Sequence, residues 1–257
     1  MKKFAIIMTL ALFSQIYGND AGEKMQSEVF FSAMEDFEKS FILGDIKKAE
    51  ESFAKLKLGF EENQNDSKII YWYFYSCYRS SIYSNLYPAL KLKASNINHC
   101  IENLDILNKT DNVENQILTV LILSSKIHSD PLGSKNLYSK LEEFDSKLRS
   151  IEDENPRINL VKGLEKLYNP ESKEKSQKKA ISYFSAGVKY FEKLETYDSS
   201  KPNWGYLDLL IFLSLSLSAN QKFDDALQNA KKIQKFLPEF KYINSILIPD
   251  LERKVKG

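Results

Sequence analysis

The chain has 257 residues, and its 36 Lys and Arg against 35 Asp and Glu leave a formal charge of +1, so no general attraction to nucleic acid or anionic lipid follows, although a local patch stays open. Hydrophobic residues make up 43%, with 16 Phe and 14 Tyr, enough to build a packed core without wholesale disorder or a disulfide-stapled miniprotein. Only 9 Gly and 7 Pro punctuate the sequence, which favours long helices, short connections and an all-α class.

At the N-terminus Lys2 and Lys3 precede an apolar run from Phe4 to Phe13, followed by Ser14, Gln15, Gly18 and Asn19. This is the layout of a bacterial secretory signal. Residues 1–21 are therefore expected to be a signal peptide, removed after Gly18 or Ala21, with an uncleaved signal anchor as the alternative. Residues 22–257 are then one exported helical domain, periplasmic or secreted. The first cysteine, Cys77, is far from the signal, which argues against a lipoprotein anchor. The apolar run also falls short of the roughly 20 residues that span a bilayer, so no transmembrane segment is expected in the mature chain.

The next elements carry the spacing of two antiparallel helices packed at close range. Phe37 and Phe41 lie in a first helix, Gly44 and Asp45 in a turn, and Ala49 and Phe53 in the returning helix. The same grammar recurs near the C-terminus: Leu210, Leu213, Ser214 and Leu217 precede Phe223, Ala226 and Ala230, and Pro238 follows twelve residues after Ala226. Between these copies the pattern is degenerate but keeps its helical period, with segments at Ile69–Ser84, Leu92–Leu107, Val113–Ile127 and Asn136–Ile151. A further pair places Leu160, Gly163 and Leu167 opposite Ala180, Phe184 and Gly187, separated by a loop from Asn169 to Gln177. Pro156 suits a first helical turn and Asn155 its cap. From Leu213 to Ser218 Leu and Ser alternate, which read alone suggests a strand; Leu209, Leu213 and Leu217 also stack at helical spacing, and a helix is expected. A last helix from Glu239 to Lys254 presents Phe240, Ile243, Leu247 and Leu251 on one side, as a cap on a helical stack requires. The expected fold is a right-handed solenoid of antiparallel tetratricopeptide-like helix pairs, about ten helices in all.

Asn155-Pro156-Arg157, then Gly163, Tyr168, Asn169-Pro170 and Ala180, and finally Pro202-Asn203-Trp204-Gly205 resemble a family of poorly characterised secreted tetratricopeptide proteins of bacteria. The resemblance covers most of the mature chain and is sharpest from Asn155 to Gly205. It implies a helical scaffold with no catalytic residues. Where relatives carry a glycine-rich loop after the Asn-Pro pair, this chain has Ser172, Lys173, Glu174, Lys175 and Ser176, so no role of that loop carries over.

Chemistry-bearing constellations are scarce. His99 and His128 are the two histidines, and neither stands with Cys, Asp or Glu at zinc or haem spacing, so no metal and no cofactor is expected. No phosphate-binding glycine loop, Gly-x-Ser-x-Gly elbow or His-Glu-x-x-His helix occurs, and paired acids such as Glu50 and Glu51 fall on Lys-rich helices as solvated faces. A non-enzymatic protein is the expectation. Tyr71, Trp72, Tyr73, Phe74, Tyr75 and Tyr78 crowd one helix. They either fill the interface between adjacent helix pairs or, through Trp72, Tyr75 and Tyr78, line a concave binding face. Lys162, Lys166, Lys173, Lys175, Lys178 and Lys179 form a basic stretch that is either a solvated face or a site for an anionic partner. Cys77 and Cys100 are symmetric about Pro88 and Ala89, where a turn should join two antiparallel helices, so they sit at matched heights. Whether they form a bridge or two separate buried thiols depends on rotation about each helix axis. The functional expectation is an exported scaffold binding a protein or peptide partner of the envelope on its concave face. The alternative is an accessory protein of an envelope transporter that holds a small apolar ligand.

Overall fold

The chain folds into helices without a strand among the residues described in the computed structural model, which are 21–87, 94–110, 112–151, 155–168, 173–193 and 202–256. Residues 1–20 of the expected signal and the turn at Pro88 lie outside these. Seven α-helices form a first compact unit: α1 (Ala21–Leu43), α2 (Ile46–Glu62), α3 (Ser67–Leu86), α4 (Ala94–Glu102), α5 (Leu104–Leu107), α6 (Val113–Ser129) and α7 (Tyr138–Ser150). Five more form a second: α8 (Pro156–Tyr168), α9 (Lys173–Lys193), α10 (Tyr206–Ala219), α11 (Phe223–Phe236) and α12 (Ile248–Lys256).

The turns follow from identifiable residues. Gly44 adopts φ 63, the left-handed conformation that costs an L side chain about 1–2 kcal/mol. The Asp45 N–H then reaches back to the Ser40 carbonyl at 2.9 Å, closing α1 in a Schellman turn. Asp45 also starts α2, its carboxylate accepting from the Lys48 N–H at 3.1 Å. Gln221 repeats the turn with φ 59, and the Lys222 N–H bonds the Leu217 carbonyl at 3.0 Å. Asn155 caps α8 by accepting from the Arg157 N–H at 2.9 Å.

Packing in the first unit alternates in direction. Asp36 pairs with Lys48 at 2.7 Å and Phe37 with Phe53, so α1 and α2 run antiparallel. Between α1 and α3, Glu38 meets Arg79, the Ser40 carbonyl meets Tyr83 and the Phe41 carbonyl meets Tyr87, at sequence separations of 41, 43 and 46. Tyr71 bonds Glu114 and Ser81 bonds Ser125 across α3 and α6, 43 and 44 residues apart. A nearly constant offset means that α1, α3 and α6 point the same way, with returning helices between them. Helix α6 buries Ile117, Leu118, Val120, Leu121, Ile122 and Leu123, covering its whole circumference, as a central helix must.

The second unit repeats the zigzag. A Cβ on Gly163 would collide with the Phe184 ring, so the glycine lets α8 and α9 approach closely. Phe184 stacks on Phe212 and Phe191 meets Tyr206 across α9 and α10. Asn229 of α11 donates to the Leu210 carbonyl and Ser214 Oγ, both at 2.7 Å. Along the C-terminal segment Phe240, Ile243, Leu247 and Leu251 are buried while Lys241 and Arg253 are exposed. Ile243–Leu247 forms a π-helical turn directly before α12. Pro249 accounts for it, because its ring lacks an N–H and would clash with the carbonyl four residues back in a regular helix.

Two elements differ from the sequence reading. The expected helix Leu92–Leu107 is broken at Asn103, whose side chain donates to the His99 carbonyl at 2.8 Å and competes with the backbone ladder. Helix α9 begins at Lys173, inside the expected loop. The Leu213–Ser218 segment, where Leu and Ser alternate, is helical throughout as expected.

Candidate functional site

A groove of about 330 Å³ lies between α10 and the C-terminal segment of the second unit. Leu215, Ser218 and Ala219 contribute from α10, spaced so that they share one helix face. Tyr242, Ile246, Leu247, Asp250 and Lys254 line the other wall. Both walls belong to helices that flank α11 in sequence, so the groove lies between next-but-one elements. Its floor is apolar, and Ile246 is 45% exposed. One end is polar: Lys254 Nζ is 2.7 Å from Asp250 Oδ2 and 3.3 Å from Ser218 Oγ, and it lies over the Phe223 ring. Asp250 also holds Arg253 at 3.3 Å. Burial, and then the Asp250 charge, pushes the Tyr242 phenol up to about 12, so it stays a neutral hydroxyl near pH 7. The arrangement suits a chain segment with an apolar side chain for the floor and a polar group for the Ser218–Lys254 end.

Of the two roles open to the aromatic helix, core filling describes most of its rings. Tyr75 and Tyr78 are 2% and 0% exposed and belong to the core, because α3 is enclosed by α1, α2, α4 and α6 on several sides rather than one. Tyr75 Oη accepts from Arg79, whose guanidinium reaches Glu38 at 3.0 Å and lies over the Phe41 ring. This buried cation joins α1 to α3. Trp72 keeps partial exposure, with Tyr71 and Tyr75 edge-on to its ring. The structure therefore separates the three ring candidates.

Of the basic stretch, Lys178 and Lys179 are exposed on α9 and Lys166 is paired with Glu165 at 2.6 Å. Lys173 and Lys175 lie on the first turn of α9, and their side chains fall outside the described set. Cys77 and Cys100 are joined by a disulfide with Cα atoms 6.2 Å apart. Beside it Tyr73 Oη is 2.6 Å from His99 Nδ1, and His99 Nε2 is 3.2 Å from Glu61. Burial, followed by Lys57, lowers the His99 pKa against the opposing pull of Glu61.

Among the described residues no cluster of three or more His, Cys, Asp or Glu has metal-binding geometry, and no helix is long and apolar enough to cross a membrane. Sequence reasoning missed the groove itself. Leu215 and Ile246 carry helical-period signals that any core residue shares, and only the tertiary fold brings them together. No family model matches the chain, and no curated protein or solved structure matches it.

Proposed function

We propose that the protein is an exported, non-enzymatic helical-repeat scaffold that binds a protein or peptide partner of the envelope. In this reading each unit is a right-handed stack of tetratricopeptide-like pairs, which the same-direction run of α1, α3 and α6 supports. The likeness to secreted bacterial tetratricopeptide proteins, carried by Asn155-Pro156-Arg157 and Pro202-Asn203-Trp204-Gly205, points the same way. Stacked pairs create extended surfaces lined by alternate helices. The observation that carries the binding reading is the groove between α10 and the C-terminal helix, since its apolar floor opens to solvent with a polar end at Lys254.

The test is affinity capture from envelope fractions with the folded chain and with two groove variants, Ala219→Arg and Ile246→Glu. Capture of a defined protein by the wild type and its loss in both variants is the expected result. Equal capture by all three, or none by any, overturns the reading. Native mass spectrometry on the same preparation addresses the alternative of a small apolar ligand, which would appear as a bound mass lost in Ala219→Arg. Export is tested by intact mass from the native envelope, expected to show loss of about 18 to 21 residues.

A further inference from the structure

We propose that the Cys77–Cys100 disulfide is a redox latch on α4, and that its reduction by a dithiol lets α4 swing away from the aromatic face of α3. Helix α4 has nine residues, too few to be stable by its own propensity. Among its described side chains Cys100 alone is fully buried, while Asn98 and Glu102 are exposed and the others half-buried. Among the described residues the covalent bond to Cys77 is thus its one fully buried fastening. Beside it stand a polar strap in which Tyr73 Oη meets His99 Nδ1 and His99 Nε2 meets Glu61, and the edge-on contacts of the His99 ring with Phe60 and Tyr73.

The segment C-terminal to α4 is held independently. Asn103 leaves helical geometry at φ −108 and ψ 7. Beyond it Leu104 and Leu107 are buried, Asn108 donates to Thr119 at 2.9 Å and Asn115 donates to the Leu107 carbonyl at 2.8 Å. A hinge at Asn103 therefore separates a lightly anchored α4 from a firmly anchored α5. Against the His99 ring of α4 lie Phe60 and Tyr73, stacked on each other at 4.3 Å. Both rings are fully buried, and displacement of α4 would present them as an apolar surface.

The exchange balances without another reactant. Both sulfurs are buried, so attack takes place in a transiently opened state. A thiolate of the dithiol bonds to one cysteine sulfur and expels the other, which takes up a proton. The second thiol of the reagent then loses its proton and attacks the reagent's own sulfur in the mixed disulfide, expelling the remaining cysteine as a thiolate that is protonated, which leaves two cysteine thiols and the oxidised dithiol.

Hydrogen exchange on the full chain, oxidised and after reduction with dithiothreitol under native conditions, tests this. Amides of residues 96–102 should exchange on the order of tenfold faster or more in the reduced chain, with α5, α1, α2 and the second unit unchanged and with a rise in binding of a dye specific for apolar surface. Unchanged protection of α4 on reduction would overturn the latch, as would a loss shared equally by α1, α3 and α6, which would make the bridge a global staple. Tyr73→Phe separates strap from bridge: it should leave α4 protected while the disulfide is intact and lower protection further once it is reduced. Opening of α4 in oxidised Tyr73→Phe would assign the hold to the strap and sink the proposal.

Discussion

Two hairpins of the molecule, α1–α2 and α10–α11, make the same turn with different residues. In each, one residue takes a left-handed conformation, Gly44 at φ 63 and Gln221 at φ 59, and the next N–H bonds a carbonyl five residues back. Five positions after the left-handed residue both place a fully buried alanine, Ala49 and Ala226. Nine positions after it they diverge, to Phe53 at 2% and Ala230 at 0% exposure. The helix start diverges too: Asp45 caps α2 with its side chain, whereas Lys222 makes no such bond at α11. Turn geometry is thus imposed by helix packing, and the local residues set only how strained or how well capped it is.

The comparison can be broken most severely at the ninth position. Phe53 packs on Phe37 and Tyr73, and Phe53→Ala should destabilise the first unit by about 3–5 kcal/mol, read as a lowered denaturation midpoint. The reverse exchange, Ala230→Phe, should destabilise the second unit by about 1–3 kcal/mol through overpacking. If it is neutral, α10 and α11 have room that their buried contacts do not suggest. The left-handed position discriminates more finely: Gly44→Ala should cost about 1–2 kcal/mol, while Gln221→Gly should stabilise by up to about 1 kcal/mol. Opposite signs are the expected outcome, and the same sign in both would show that the turns are not equivalent. The smallest effect is at the cap, where Lys222→Asp should add about 0.5–1 kcal/mol, detected as slower amide exchange in the first turn of α11.

These two hairpins were also the most legible parts of the sequence, because Gly44, Ala49 and Phe53, and Phe223, Ala226 and Ala230, each answer a steric requirement of close helix pairing. Legibility fell where local chemistry served more than one geometry. Asn103 suits a helix interior poorly and a break well, yet nothing in sequence decides which way its side chain bonds. Lys173 to Lys179 lack apolar periodicity and read as loop, although Lys and Glu are good helix formers. The aromatic run in α3 was visible, but its burial was not: one-sided packing would have turned some rings outward, and contacts on several sides take in Tyr75 and Tyr78 together. Arg79 as a buried cation between α1 and α3 leaves no trace in spacing, since its partner Glu38 lies 41 residues away. The groove required two helices separated by a third, so its residues became a set only in three dimensions.

The π-helical turn at Ile243–Leu247 acts as a phase adjuster for the groove. Tyr242, Ile246, Asp250 and Lys254 are spaced by four, and in an unbroken α-helix of 3.6 residues per turn such a series drifts steadily round the axis, by about 40° at each step. A wider turn absorbs part of that drift, so the four side chains stay on the wall facing Leu215 and Ala219. Pro249, by forcing the wide turn, thereby sets the angular position of Asp250 and Lys254. Proteins that lose this proline would be expected to keep the C-terminal helix and its buried Leu251, yet turn the polar end of the groove out of register with its apolar floor.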